Sequence, residues 1–392
     1  MRQLQCNIRK LGYGPHIGKA IVGTFLLFFL FTSVSANITE GTDSINIQDN
    51  LGKKTELKKK KTGFVGFLSS LTEIDTTYIR PNMYNMQGMV YSDMMFNIYK
   101  ISGTDENGGN NQSLYFSPYS TLHVGPYVAY SFIFLGYSFN LGRKETSSGR
   151  SNMYLSIYSP IIGIDFYYQK GTNNYRLTRA SGFSSEESKK IHKLQFSGID
   201  TYLQNINAYY VFRHKKFSYT AAYSQSGQQL RSAGSFMLGF SYARQKLKFD
   251  YTQLPLYLIY DGANEVINNA LKVNNIDYRN YSISLGYSYN WVFVRNMLFN
   301  ITLTPSIGYN VNQGEQLEFN KDLFKYTNIN FDLTGRNAIV WNSGKFFAGV
   351  STVVHTYSHR KSNFSVLNAL FKINMYAGVS FWKRKAYKKK KS

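Results

Sequence analysis

Cysteine, proline and acidic side chains are scarce in this chain. Its 392 residues include one Cys, 7 Pro and 22 Asp+Glu. The cysteine is Cys6, ahead of the first apolar run, so everything downstream lacks thiols. That excludes a disulfide scaffold, thiol catalysis and Cys-ligated zinc. Few prolines beside 33 Tyr and 29 Phe do not suit a disordered tail or a helical solenoid. After Ala36 no apolar stretch approaches the ~20 residues of a spanning helix. A Gly-rich phosphate loop, an EF-hand pattern and a dinucleotide fingerprint are all missing.

The formal net charge is +23, but much of it sits in three clusters. They lie at Arg2 to Lys19, at Lys53 to Lys61 and at Lys383 to Lys391. Without them 28 basic residues face 22 acidic ones. No nucleic-acid module accompanies the lysines, so they read as solvated tails near anionic headgroups.

The first cluster precedes the apolar run Ala20 to Val34, which ends in Ser35-Ala36. Small residues at Val34 and Ala36 predict a signal peptide over residues 1–36, cleaved before Asn37. Residues 37–75 are polar and lysine-rich and read as a periplasmic lead-in. Within it Phe64, Phe67, Leu68 and Leu71 have helical spacing.

From about Gln87 to Trp382 the pattern changes to alternation in runs of about ten residues. Tyr281, Ile283, Leu285, Tyr287 and Tyr289 alternate with Ser282, Ser284, Gly286, Ser288 and Asn290. Phe299, Ile301, Leu303, Pro305 and Ile307 alternate with Asn300, Thr302, Thr304, Ser306 and Gly308. One face is apolar and the other is Ser, Gly, Asn and Thr, as a wet lumen requires, and tyrosines cluster at run ends. Strands in hydrocarbon must satisfy every backbone N–H and C=O within a closed sheet. The expected fold is therefore all-β: a transmembrane antiparallel β-barrel over residues 76–382, with a basic periplasmic tail over 383–392. Thirteen runs are clear, including one from Phe217. A weaker one over Phe249 to Tyr260 makes fourteen, and twelve remain if two are spurious. Arg213 to Lys216, Val294 to Met297 and Asn342 to Lys345 read as tight turns; Gly171 to Asp200 and Asp261 to Asn280 read as long polar loops. On this basis an arginine at Leu285 or Leu303 should destabilise, and one at Ser284 should be mild.

The segment KKFSYTAAYSQSGQQLRSAGSF (Lys215 to Phe236) closely resembles a signature of a Bacteroidetes family that carries a domain of unknown function. DTTYIRPN (Asp75 to Asn82), LYFSPYSTLHVGPYVAYSF (Leu114 to Phe132) and GIDFYYQKG (Gly163 to Gly171) support the resemblance. Tyr119 stands where the family usually has Asn. The resemblance spans roughly Asp75 to Trp382 and implies an exported outer-membrane barrel. It brings no reaction or ligand, so no functional residue is carried over.

Catalysis by a lipase or deacylase needs Ser and His within reach of each other. None of His123, His192, His214, His355 and His359 lies in an H-x-S arrangement, which would put both side chains on one strand face. His355 and Ser351 share a face but stand about 13 Å apart along a strand. His355 and His359 would need a helix to share a metal. No catalytic residue, metal site or cofactor is therefore assigned. Asp93, Asp165, Asp332 and Lys372 fall on the polar phase. They form either a charged constriction or an ion-pair network filling a narrow lumen. Phe381 and Trp382 close the final run and are candidates for the assembly signal.

The function expected is a non-enzymatic outer-membrane barrel of a Gram-negative bacterium, either a small-solute channel or a structural or surface protein. A lipid-modifying outer-membrane enzyme is the alternative. Partners would be outer-membrane lipids, including lipopolysaccharide, and the barrel assembly machinery, with no nucleic acid.

Overall fold

The structure, a computed structural model, describes residues 73–105, 111–130, 133–136, 139–141, 150–172, 175–183, 186–189, 191–312, 328–361, 363–384 and 387. The predicted leader, the helical spacing at Phe64 to Leu71 and most of the basic tail lie outside these residues.

Twelve strand positions form the wall among the described residues. They are β1 (Tyr84–Thr104), β2 (Thr121–Tyr130), β3 in two pieces (Ile133–Gly136 and Phe139–Asn140), β4 (Arg150–Tyr158), β5 (Ile162–Thr172) and β6 (Ile199–Val211). β7 (Ala233–Phe249), β8 (Asn275–Val294), β9 (Met297–Asn312), β10 (Ile329–Asn342), β11 (Phe346–Lys361) and β12 (Phe364–Lys383) complete it. Each pairs antiparallel with its chain neighbour, and β12 pairs with β1 over nearly its whole length. Between β3 and β4 no ladder is described, so the barrel is open at that seam. Among the described residues no helix is long and apolar enough to cross a membrane.

Burial is inverted relative to a water-soluble sheet. On β8, Ser282, Ser284, Ser288 and Asn290 are buried, while Ile283 is 64% and Leu285 59% exposed. On β7, Phe236, Leu238 and Phe240 project outward, and on β9 Ile301, Leu303 and Ile307 do so. A continuous outer band of this kind is stable only against hydrocarbon. Ring-shaped and β-branched side chains suit such a pleated face. Pro305 lies mid-strand on β9. Lacking an N–H, it coincides with a gap in the β8–β9 ladder between Ser284↔Ser306 and Tyr287↔Leu303, with no change of register.

Two of the expected strands are absent. The run from Phe217 forms a short helix, Tyr219–Tyr223, capped by the Ser218 hydroxyl, which accepts from the Ala221 N–H. The stretch from Tyr251 to Ile259 forms a 3-10 turn and a short helix. The first reads as a strand because Phe217, Tyr219 and Tyr223 alternate with Ser218, Thr220 and Ser224, and the second is the weaker run that makes the count even. β6 pairs directly with β7 and β7 with β8, which leaves no place between them for either. Nor is Arg213 to Lys216 a tight hairpin, since it opens the long connection 212–232. The remaining connections at that end are short, at 131–132, 159–161, 295–296 and 343–345. At the opposite end 105–120, 141–149, 173–198, 250–274 and 313–328 are long, and only 362–363 is short. Both ends of the wall, Tyr84 and Lys383, meet at the tight-turn end, where they pair.

Leu303 lies midway along β9 on the outward face. Leu303→Arg should lower stability by about 2–4 kcal/mol, and Leu303→Phe should leave it nearly unchanged. Urea titration of the protein refolded in lipid vesicles measures both.

Candidate functional site

The lumen is where the inward side chains of distant strands meet, and the structure fills it in three layers. At the tight-turn end, the connection 212–232 turns inward as a plug. Asn290 of β8 donates to the Ser218 carbonyl (2.8 Å), Tyr223 to Asn300 of β9 (2.7 Å), and Gln87 of β1 to the Gln225 carbonyl (3.0 Å). Gln225 donates to the Tyr376 hydroxyl of β12, and Gln228 to the Asn342 carbonyl of β10. The Tyr219 ring packs on Tyr158 of β4 and Tyr209 of β6. One inserted segment thus touches seven of the twelve strands. Gly227–Gln229 also pairs with Ile79–Pro81, just before β1, which braces the plug. The small side chains of Ala221 and Ala222 let the helix lie against Leu298, Ala338 and Val340 of the wall.

At the loop end the lumen is closed by an apolar lid. The strand Asn111–Pro118 continues the sheet from the upper half of β1, followed by Tyr175–Ser181 and Leu194–Phe196. Their inward residues pack with the 251–271 segment around Phe116, Leu177, Phe249, Leu258 and Leu271. Phe116 lies 4.9 Å from Phe196 and 5.7 Å from Phe249, centroid to centroid. The same cluster includes Tyr99 of β1, Ile199 of β6, Ile276 of β8 and Val366 of β12, so it bridges the mouth. Composition alone marked these loops as polar; their hydrophobic residues are too irregularly spaced to stand out.

Between plug and lid lie the charges singled out in the sequence. Asp165 is 3% exposed and pairs with Arg336 across the lumen, from β5 to β10. It also accepts from Ser156 and from Tyr158 (3.1 Å). Asp93 faces His123 on β2 at 3.7 Å, and Lys372 sits over the Tyr91 ring at 5.9 Å. Asp332 has a different task. The β10–β11 ladder stops at Thr334↔His355, and beyond it Asp332 accepts the Ser358 backbone N–H (2.8 Å) and the Ser358 hydroxyl (3.2 Å). Its carboxylate thus replaces a missing carbonyl in the wall. Arg336 was not among the sequence candidates, because a single cation in a Gly-Arg-Asn context has no spacing signal. Its phase on β10 could have found it.

A small cavity remains beside this layer, lined by Tyr209, Ser241, Ser284, Thr304, Arg336 and His355 among others. His355 contacts Thr334 at 3.3 Å and stacks on Tyr357 at 4.0 Å; His359 stacks on Tyr278 at 4.1 Å. These rings are structural partners within the packed interior, and no group of three His, Cys, Asp or Glu able to hold a metal occurs among the described residues. The cavity also corrects the expectation for Ser284. An arginine there would be confined beside Arg336 in a closed lumen, where an unpaired buried charge is costly. Phe381 and Trp382 close β12 on the surface at the tight-turn end, 41% and 59% exposed.

With this geometry in place, the comparisons define the family. The chain belongs to the family DUF4421, a domain of unknown function, whose model matches residues 73–381. No curated protein matches it in sequence. Among solved structures it is similar to the outer membrane protease OmpT of Escherichia coli, at 7% identity and a TM-score of 0.36, covering 76% of this chain and 97% of that one. An outer membrane channel from Pseudomonas putida F1 gives 8% identity, a TM-score of 0.24 and coverage of 75% and 96%. The Pseudomonas putida toluene transporter TodX gives 7%, 0.21, and 76% and 91%. Likeness at this level assigns this chain none of their activities.

The Asp165–Arg336 pair supplies the test of this layer. Asp165→Asn or Arg336→Met alone leaves an uncompensated buried charge or orphaned partners and should cost about 3–5 kcal/mol. Replacing both with uncharged residues should cost less than either single change. Denaturant titration of the four proteins closes the double-mutant cycle.

Proposed function

We propose that this member of the family is a non-enzymatic outer-membrane β-barrel whose lumen its own chain keeps closed, and that it serves as a structural or surface protein. The observation that carries this reading is the double closure. Seven strands hold the plug by side-chain hydrogen bonds and ring contacts, and the lid spans the loop-end mouth. A constitutive small-solute channel needs a continuous wet path, and both ends of this one are occupied. The lumen charges are partnered with each other or with backbone, which suits the filling network better than a selectivity ring.

Orientation follows from the connections. Short turns belong on the periplasmic side and long loops outside. The lid then faces the exterior, and the plug, the chain ends and the basic tail face the periplasm. A lipid-modifying enzyme is the weaker alternative, because His355 meets Thr334 inside the closed lumen, away from any lipid. In this reading the leader is removed before Asn37, and Phe381 and Trp382 present the last strand to the assembly machinery.

Three results are expected. In planar bilayers the full chain should give no steady conductance, and a variant lacking residues 219–229 should conduct; stepwise channels from the unaltered chain would refute the closed barrel. Mass spectrometry should find the same outer-membrane lipids in a deletion strain and its parent; a changed profile restored by the wild-type gene would favour the enzyme. Phe381→Ala with Trp382→Ala should sharply reduce the heat-modifiable folded band on gels, while truncation after Arg384 should not.

A further inference from the structure

Above the apolar band, the outward faces of β5 to β8 change character within a few residues. Phe166 on β5, Ile206 on β6, Phe240 on β7 and Ile283 on β8 lie in the band. Next toward the loop end come Tyr168, Gln204, Tyr242 and Tyr281, with Tyr202 one step beyond Gln204; Tyr168 and Tyr202 lie 5.6 Å apart and Tyr242 and Tyr281 5.3 Å. Beyond these rings the same faces carry Lys170, Arg244, Lys246, Lys248 and Arg279, against Asp200 and Asp277. On β9 and β10 the corresponding outward residues are Tyr309, Ile329 and Phe331, with no cation among the described residues. Among the described residues the cations are densest on β5 to β8, with single outward cations at the loop end of β1 (Lys100) and β11 (Arg360).

The arrangement inside the patch is unfavourable unless an anion is present. Arg244 and Arg279 stand directly opposite one another in the β7–β8 ladder. Like charges in that relation destabilise a sheet. Asp277 relieves only part of this: it takes both Arg244 (3.0 Å) and Lys246 (2.9 Å). Lys170 and Arg279 have no hydrogen bond or ion pair among the described residues, and both are exposed. Four strands at about 4.8 Å spacing make the patch about 15 Å wide, more than one phosphate can bridge.

The geometry points to a binding site for a lipid with more than one phosphate on its headgroup. Its phosphates would lie against Lys170, Lys248 and Arg279, its sugar frame on the tyrosines, and its acyl chains along Ile206, Phe240 and Ile283. Guanidinium and ammonium groups above an apolar wall match such an amphiphile in charge and in depth. The inference rests on the orientation proposed above, which puts this face in the outer leaflet and makes a phosphorylated glycolipid of the lipid A type the occupant.

Native mass spectrometry of the full chain in neutral detergent tests this with diphosphoryl lipid A, monophosphoryl lipid A, phosphatidylglycerol and inorganic phosphate as additives. Diphosphoryl lipid A should be retained best, and Arg279→Gln with Lys248→Gln should weaken its retention at least tenfold. Lys345→Gln, at the other end of the barrel, should have no effect. Equal retention by the Arg279/Lys248 variant, or preference for phosphatidylglycerol or for free phosphate, would overturn the site. Heat-modifiable migration of the same samples separates the two failures: a folded barrel that ignores lipid A sinks this site alone, whereas loss of the folded band sinks the barrel reading itself.

Discussion

Everything in this molecule depends on the need of a backbone in hydrocarbon to find its hydrogen-bond partners within the sheet. Once the strands pair in sequence and β12 returns to β1, the side-chain alternation has only one workable sense. Apolar groups must face out and polar groups in. The result inverts the usual order: buried Ser284 and Asn290, exposed Leu285 and Trp291. A polar interior cannot be held by hydrophobic burial, so it is held by hydrogen bonds and paired charges. The Asp165–Arg336 pair and the amides around the plug are consequences of that inversion.

The same constraint explains how local gaps in the wall are repaired. Pro305 removes a donor from β9, and the β10–β11 ladder stops after Thr334. At the second site Thr356 and Ser358 side chains and the Asp332 carboxylate take over the lost pairing, with the Leu333 N–H donating to Thr356 at 2.9 Å. A charged residue in a barrel interior can thus belong to the wall and not to a permeation path. Asp332 and Asp165 look alike in the sequence, and only their partners distinguish the roles.

The two closures use opposite chemistry. The plug is polar and small-featured, held by donors from the wall. The lid is aromatic and aliphatic, built from loops that emerge into solvent and fold back over the mouth. A polar plug suits the wet lumen at one end, whereas the lid needs its own apolar core because no bilayer supports it. Together they occupy the two ends of the lumen, and the outer surface is left for contact with lipid. The phosphate site proposed on β5 to β8 is the place where that surface departs most from a plain apolar belt.

The period-two pattern and the composition determined by themselves that this is an all-β chain with one wet and one lipid face. Local alternation is enough for that, since side chains of a strand point to opposite sides whatever the neighbours are. The phases of Asp93, Asp165 and Lys372 were legible for the same reason. The sequence could not show that the Phe217 run becomes a helix inside the barrel, because its alternation is as good as a strand's and only the direct pairing of β6 with β7 on either side of it decides against it. Nor could it show that Arg336 reaches Asp165, that Phe116 meets Phe249 in a lid, or that Arg244 stands opposite Arg279. Those are contacts between residues from about 35 to 171 positions apart. Register and closure bring them together, and both are set by the pairing of whole strands, which no local stretch of sequence contains.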